Sequence, residues 1–265
     1  MRVLVFWDIY GRVWRNAFVQ EYNKLVEEYS PDFTIANIEN ITSWKWPITQ
    51  HAELIAGLWV DVMTWWDHVF DNMENIKQYF DNEDCQLIRP ANFCSENMPW
   101  TGSMIIEKNN KSLLVVQVLG QAFMSHNVDN PFLAIEKEIE LHAWEKIDGI
   151  IVDFHRETTA ELYGMAHFLN GRVALVYGTH THIQTNDAHI LSEWTWLIGD
   201  VGMNWPFNSV IGADYDSVKK RFLTGIQRWK IEQALGKEFI INAVLVDIED
   251  WKTSFIENIS YTWKL

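Results

Sequence analysis

Two imidazoles stand one residue apart in Gly178-Thr179-His180-Thr181-His182, directly after the apolar run Val173 to Tyr177. Neutral imidazole is a metal ligand, and small residues at 178, 179 and 181 let the chain turn tightly enough to aim both rings at one point. Taken alone, a His-x-His is equally compatible with an ordinary surface loop. The weight comes from other apolar runs that finish the same way. Val3 to Trp7 ends in Asp8, Phe33 to Ala36 in Asn37-Ile38-Glu39-Asn40, Val60 to Thr64 is followed by Asp67-His68, and Gly149 to Phe154 leads through Asp153 to His155. Asp8, Glu39, Asn40 and Asp67 offer hard oxygens, and His155, His180 and His182 offer borderline nitrogens. That mixture suits Mn, Fe or Zn better than Mg alone. Seven donors exceed the needs of one four-coordinate ion. With one bridging carboxylate they suit two ions about 3.5–4 Å apart, the arrangement of hydrolytic phosphate chemistry. Each residue also has a plainer role: Asp8 as a helix cap near Gly11, Glu39-Asn40 as loop solvation, Asp67-His68 as a surface turn, His155 as an interior imidazole donating to a carbonyl.

Convergence requires a scaffold. Short apolar runs alternate with helical patterns, the signature of a layered α/β fold, and in an open α/β sheet ligands bind beyond the carboxyl ends of the strands. Strands are predicted at 3–7, 33–36, 60–64, 149–154, 173–177, 239–247 and 255–261. Helices are predicted from about 15 to 29, where Phe18, Tyr22, Leu25 and Val26 share a face, and near 50–58, 73–80 and 133–144. Residues 104–107 and 113–119 flank a polar turn at Lys108-Asn109-Asn110-Lys111 and read as a hairpin. Residues 1–265 read as a single domain.

The formal net charge of -15, with no Lys/Arg-rich run, argues against a duplex nucleic-acid groove built on phosphate contacts. A small anionic substrate is still compatible, because bound cations reverse the local field. Two cysteines, Cys85 and Cys94, are too few for a disulfide framework, and no apolar stretch reaches the length of a membrane span. A cytoplasmic location is the expectation. Oligomeric state is open, a homo-oligomer included. One feature is anomalous: tryptophan (15) outnumbers glycine (13).

The ordered set Asp8, Asn37-Ile38-Glu39-Asn40, Asp67-His68, Asp153-Phe154-His155-Arg156-Glu157-Thr158-Thr159, Gly178 to Thr185 and Asp200-Val201-Gly202-Met203 resembles the YmdB-like bacterial metallophosphoesterases of the calcineurin-like superfamily. Arg89 to Phe93, Val128 to Leu133 and Lys220 to Gly225 match as well, so the resemblance spans nearly the whole chain. It implies a four-layer αββα sandwich and hydrolysis of cyclic nucleotide phosphodiesters, 2',3'-cyclic ones favoured. It also implies two divalent ions, Fe or Mn foremost and Zn as an alternative. One ion would be held by Asp8, Glu39, Asn40 and His182, the other by Glu39, Asp67, His155 and His180, with Glu39 shared. His68 would be the general acid. Asp153 and Glu157 would orient imidazoles, or else cap a helix.

The chain departs from that pattern in two ways. Asp67 replaces Asn, which adds a negative charge beside one ion. Bulky residues stand where the pattern has glycine: Trp7, Ile38, Trp44, Trp46 and Trp66. They either point away from the centre or narrow it. The second outcome would leave a catalytically weak protein that binds metal and nucleotide in a regulatory role.

Overall fold

The computed structural model describes residues 1–42, 48–66, 73–93, 99–226 and 228–264. In the first half of the chain, β1 (Arg2–Phe6), β2 (Phe33–Asn37), β3 (Val62–Thr64) and β4 (Leu87–Ile88) run parallel in that order. β1 is apolar from Val3 onward and buried throughout that stretch, as a parallel strand covered on both faces must be. Between β1 and β2 lies α1 (Gly11–Tyr29), whose Phe18 and Tyr22 pack on Phe6 with ring centroids 5.2 and 5.7 Å apart. Ser30 at φ 47 ends the helix one residue before Pro31. The helix starts before the predicted position at 15, and Tyr10 makes no side-chain cap that would announce it. α2 (Thr49–Ala56) and α3 (Lys77–Phe80) complete this half and contribute Ile55 and Phe80 to the same core.

The second sheet begins with the predicted hairpin of β5 (Ser103–Lys108) and β6 (Lys111–Leu119), turning at Asn109 and Asn110 with φ 53 and 60. β6, β7 (Gly149–His155) and β8 (Leu175–Thr179) are parallel, separated by α4 (Pro131–Leu141) and α5 (Thr159–Phe168). β9 (His189–Ile190) and β10 (Trp196–Ile198) extend the sheet beyond β8. β8 runs two residues further than the sequence predicts, which a close approach explains. A Cβ at Gly178 would lie 1.9 Å from the Gly199 carbonyl oxygen, so only glycine lets the strand reach Thr179 here. β11 (Trp205–Pro206) precedes α6 (Tyr215–Thr224), and the chain closes with the long antiparallel pair β12 (Glu238–Glu249) and β13 (Lys252–Lys264). β12 pairs with β1 and returns the end of the chain to the first sheet.

The fold is thus mixed α/β, two sheets flanked by helices. Period-two alternation along β6, β7 and β8 sorts the second sheet's side chains onto its two faces. Leu113, Val115, Ile151 and Leu175 join the cluster that holds Val3 and Val5 of β1, while Leu114, Val116, Val152 and Val176 pack with Ile135, Leu162 and Met165 of α4 and α5. Both sheets direct the carboxyl ends of their parallel strands to one rim. Among the described residues, no helix is long and apolar enough to cross a membrane.

Candidate metal centre

At the end of β1 the backbone bends sharply, and Asp8 is fully buried with φ 44. Asn204 holds this bend. Its Nδ2 donates to the Trp7 carbonyl at 2.6 Å, its backbone N–H donates to the Asp8 carbonyl at 3.3 Å, and its Oδ1 accepts from Asn242 N–H at 2.8 Å. Asp8 does not cap α1, whose cap position is Tyr10; its Oδ2 accepts from Asn40 Nδ2 at 2.9 Å. At the end of β2, Asn37 ties the loop down by donating to the Thr64 carbonyl at 2.9 Å and accepting from Glu39 N–H at 3.0 Å. The Glu39 carboxylate accepts from the Trp66 backbone N–H beyond β3. Glu39 is 2% exposed and Asn40 7%, so solvation does not explain either residue.

Opposite them, on the second sheet, His155 ends β7 and is oriented from behind. Its Nδ1 lies 3.1 Å from Thr179 Oγ1, and that hydroxyl donates to Asp153 Oδ1 at 3.1 Å. A hydroxyl with its hydrogen committed to a carboxylate accepts from the ring, which assigns the proton to Nδ1 and leaves Nε2 as a donor of electrons. Nε2 faces His180 Nδ1 at 3.1 Å, and the rings stand at 79°. An ion at the usual metal–nitrogen distance of about 2.0–2.1 Å can touch both atoms across that gap. The far nitrogen of His180 lies 2.9 Å from Glu157 Oε2. The two residues expected to orient imidazoles, Asp153 and Glu157, therefore sit behind His155 and His180, and Thr158 instead provides the N-cap of α5. Burial pushes the Asp153 carboxyl up to about 7, outweighing hydrogen bonds from Trp66, Thr64 and Thr179 that favour its charged form. In the loop after β8, Thr181 donates to Asp200 through both N–H and Oγ1 at 2.8 Å. His180 and His182 take positive φ values of 107 and 70 there. Burial, reinforced by the neighbouring His180, lowers His182 to a pKa of about 4, which keeps its imidazole neutral at pH 7.

The tryptophans bridge the two sides. Trp66 stacks on His155 with centroids 4.1 Å apart and donates from Nε1 to Asp153 Oδ2 at 3.1 Å. Trp7 meets Trp66 at 5.4 Å and His182 edge-on at 5.3 Å, and both indoles are 1% exposed. Ile38, by contrast, points into the core. Trp44 and Trp46 lie outside the described residues, as do Asp67 and His68. Among the described residues no three His, Cys, Asp or Glu side chains come close enough together to hold an ion. The donors pair instead, Asp8 with Asn40 and His155 with His180, around an aromatic bridge. Their chemistry and burial fit a cation site, and the indoles occupy ground between the imidazoles. Other histidines make contacts elsewhere, such as His51 with Thr42 and His142 with Ser103.

Sequence reasoning missed Thr179, Asn37 and Asn204, which position donors without being donors themselves. Thr179 lay in plain view inside the His-x-His motif. For Asn204 no sequence signal exists, since its partners are 197 and 38 residues away.

A family profile described as YmdB-like protein matches residues 4–259. The chain belongs to the YmdB-like family. A Bacillus subtilis relative named 2',3'-cyclic-nucleotide 2'-phosphodiesterase is 35% identical, over 94% of this chain and 92% of its own length. A Thermus thermophilus crystal structure described as a hypothetical protein superposes with a TM-score of 0.87 at 31% identity, covering 100% of this chain and 99% of its own. A Mycoplasma pneumoniae crystal structure described as a novel phosphatase gives 0.86 at 27% identity, covering 100% and 94%. As a member of this family the chain is a hydrolase of the phosphoesterase class.

Proposed function

We propose that the protein is a metal-dependent phosphodiesterase acting on small cyclic nucleotides, with 2',3'-cyclic esters favoured. The observation that carries this is the relay Asp153-Thr179-His155, which presents Nε2 of a buried imidazole to His180 at the rim where Asp8, Glu39 and Asn40 also end. The kinship to a 2',3'-cyclic-nucleotide phosphodiesterase supports the substrate class.

Asp8, Glu39, Asn40 and His182 would hold one divalent ion, and Glu39, Asp67, His155 and His180 the other, with Fe or Mn preferred to Zn for this oxygen-rich set. Such a pair supplies a hydroxide nucleophile at neutral pH and neutralises charge on the phosphoryl oxygens. The protein's part is orientation and proton transfer. The Trp66 N–H fixes the Glu39 carboxylate, and burial keeps His182 in the neutral, ligating form. His68, next to Asp67 in sequence, gives its proton to the ring oxygen that leaves, so opening of the cyclic ester yields a nucleoside monophosphate. The stacked sandwich of four layers implied by the family is supported by the shared core of the two sheets. We place the enzyme in the cytoplasm.

A second reading, metal and nucleotide binding with little turnover, is favoured by the Trp7 and Trp66 indoles between the imidazoles. The test is elemental analysis of the purified chain and hydrolysis of 2',3'-cyclic AMP with added manganese. The assay covers the chain itself, Trp7→Gly/Trp66→Gly, Glu39→Gln and His68→Ala. About two ions per chain, with turnover that disappears in the last two variants, are expected. Bound metal without turnover in the chain or the double glycine variant would leave the binding reading.

A further inference from the structure

Several tryptophans sit on backbone that L-residues avoid. Trp59, Trp100, Trp194 and Trp251 have φ 66, 69, 83 and 72. Thus, of the fifteen tryptophans less the two at 44 and 46 outside the described residues, four in thirteen occupy the left-handed region. Non-glycine residues visit that region only a few per cent of the time, and the frequent visitors are short and polar, not bulky.

Trp251 is the clearest case. Glu249 pairs with Lys252 across β12 and β13, so Asp250-Trp251 is the entire hairpin loop, with φ 47 and 72. Positive φ at both loop residues defines the type I′ turn, for which Asp-Gly and Asn-Gly are the favoured pairs because glycine has no Cβ to crowd the backbone. Trp59 stands three residues beyond the last residue of α2, in a turn where its N–H donates to the Ala56 carbonyl, and is 83% exposed, so its indole gains little from burial. In both places a bulky L-residue holds left-handed backbone that glycine holds without strain, and at Trp59 the exposure leaves little contact to offset it.

The centre described above supplies an independent observation. Trp7 and Trp66 are the buried indoles that lie between His182 and His155. With a hydrogen in place of each side chain, the indole stacked on His155 and the indole against His182 would both be gone.

We infer that the codons for residues 7, 59, 66, 100, 194 and 251 are decoded as glycine in the cell that makes this protein. The codon UGA, a stop in the standard code, is read as tryptophan in some bacterial codes and as glycine in others, so one reassignment changes every such position at once. The inference leaves out tryptophans that neither sit on left-handed backbone nor lie between the imidazoles, such as Trp196, whose Nε1 donates to the Thr253 carbonyl at 3.0 Å, and Trp263 beneath Lys24. At 7 and 66 it deepens the metal-centre reading. At 59, 100, 194 and 251 it stands without that reading.

Three measurements test it, none of which needs turnover. The gene should carry UGA at all six positions, and UGG at any of them overturns the inference for that position. Peptides of the protein isolated from its native cell should show glycine at 59 and 251 by mass spectrometry; tryptophan there overturns it outright. In full-length recombinant protein, Trp59→Gly and Trp251→Gly should each raise Tm by roughly 2–4 °C. A fall in Tm in both variants would show that the backbone does not call for glycine.

Discussion

Replacing Thr179 by valine removes one hydroxyl and little volume from the middle of the Asp153-Thr179-His155 relay. The site is fully buried: Thr179 and Asp153 are each 0% exposed and His155 is 3% exposed. Losing the hydroxyl takes a hydrogen-bond partner from two buried polar groups, each at a cost of about 1–3 kcal/mol. Trp66 still donates to Asp153, and the ring of His155 still has Trp66 stacked on its face, so we set the combined loss at the lower end, about 2 kcal/mol. In a protein of this size that lowers Tm by roughly 4–8 °C. The more telling effect concerns the metal. With the Nδ1 proton no longer anchored, Nε2 is presented to His180 less often, and loss of an orienting partner of this kind costs about 10–100-fold in metal affinity or activity. Scanning calorimetry and a manganese titration on folded Thr179→Val, with Thr179→Ser as the rescue that restores a hydroxyl, measure both quantities. If Thr179→Val binds manganese as tightly as the parent, His155 does not depend on the relay and the reasoning fails, whatever happens to Tm.

Three further outcomes are expected. Asn204→Ala removes the acceptor of Asn242 N–H and the donor to the Trp7 carbonyl, so urea unfolding should show a loss of about 1–3 kcal/mol; an unchanged midpoint would mean the β1 bend is held by other contacts. Burial lowers His51 to a pKa of about 4, below the ordinary 6.5, so its stabilising contribution is complete above about pH 6.5 and is lost as pH falls toward 4. His51→Gln should flatten the decline in Tm across that interval, and a parallel decline in both proteins would clear His51 of the effect. Chelation by EDTA should abolish phosphodiesterase turnover and lower Tm, with manganese restoring both, since an ion at 100 times its Kd adds about 2.7 kcal/mol to native stability. Full activity in EDTA would contradict a metal centre.

Much of the framework was legible in the residue order. β1 and β7 announce themselves as apolar runs because parallel strands are buried on both faces, and the polar Asn109-Asn110 turn marked the β5–β6 hairpin. The placement of Asp8, Glu39, Asn40, His155, His180 and His182 was legible too, since each follows or ends a strand. Boundaries were less so. The extra residues of β8 depend on Gly178 approaching Gly199, and the early start of α1 has no side-chain cap to signal it.

The sequence by itself determined which side chains are of a ligating type and which end of each strand carries them, because residue type and strand period are local properties. Only the tertiary structure decided who touches whom. It set Thr179 between Asp153 and His155, tied the Trp7-Asp8 bend to Asn204, and put the indoles of Trp7 and Trp66 against His182 and His155. The Thr179 contacts come from the register of the neighbouring strands β7 and β8, and the others join residues of opposite sheets or distant loops; neither strand pairing nor sheet packing is encoded by spacing along the chain.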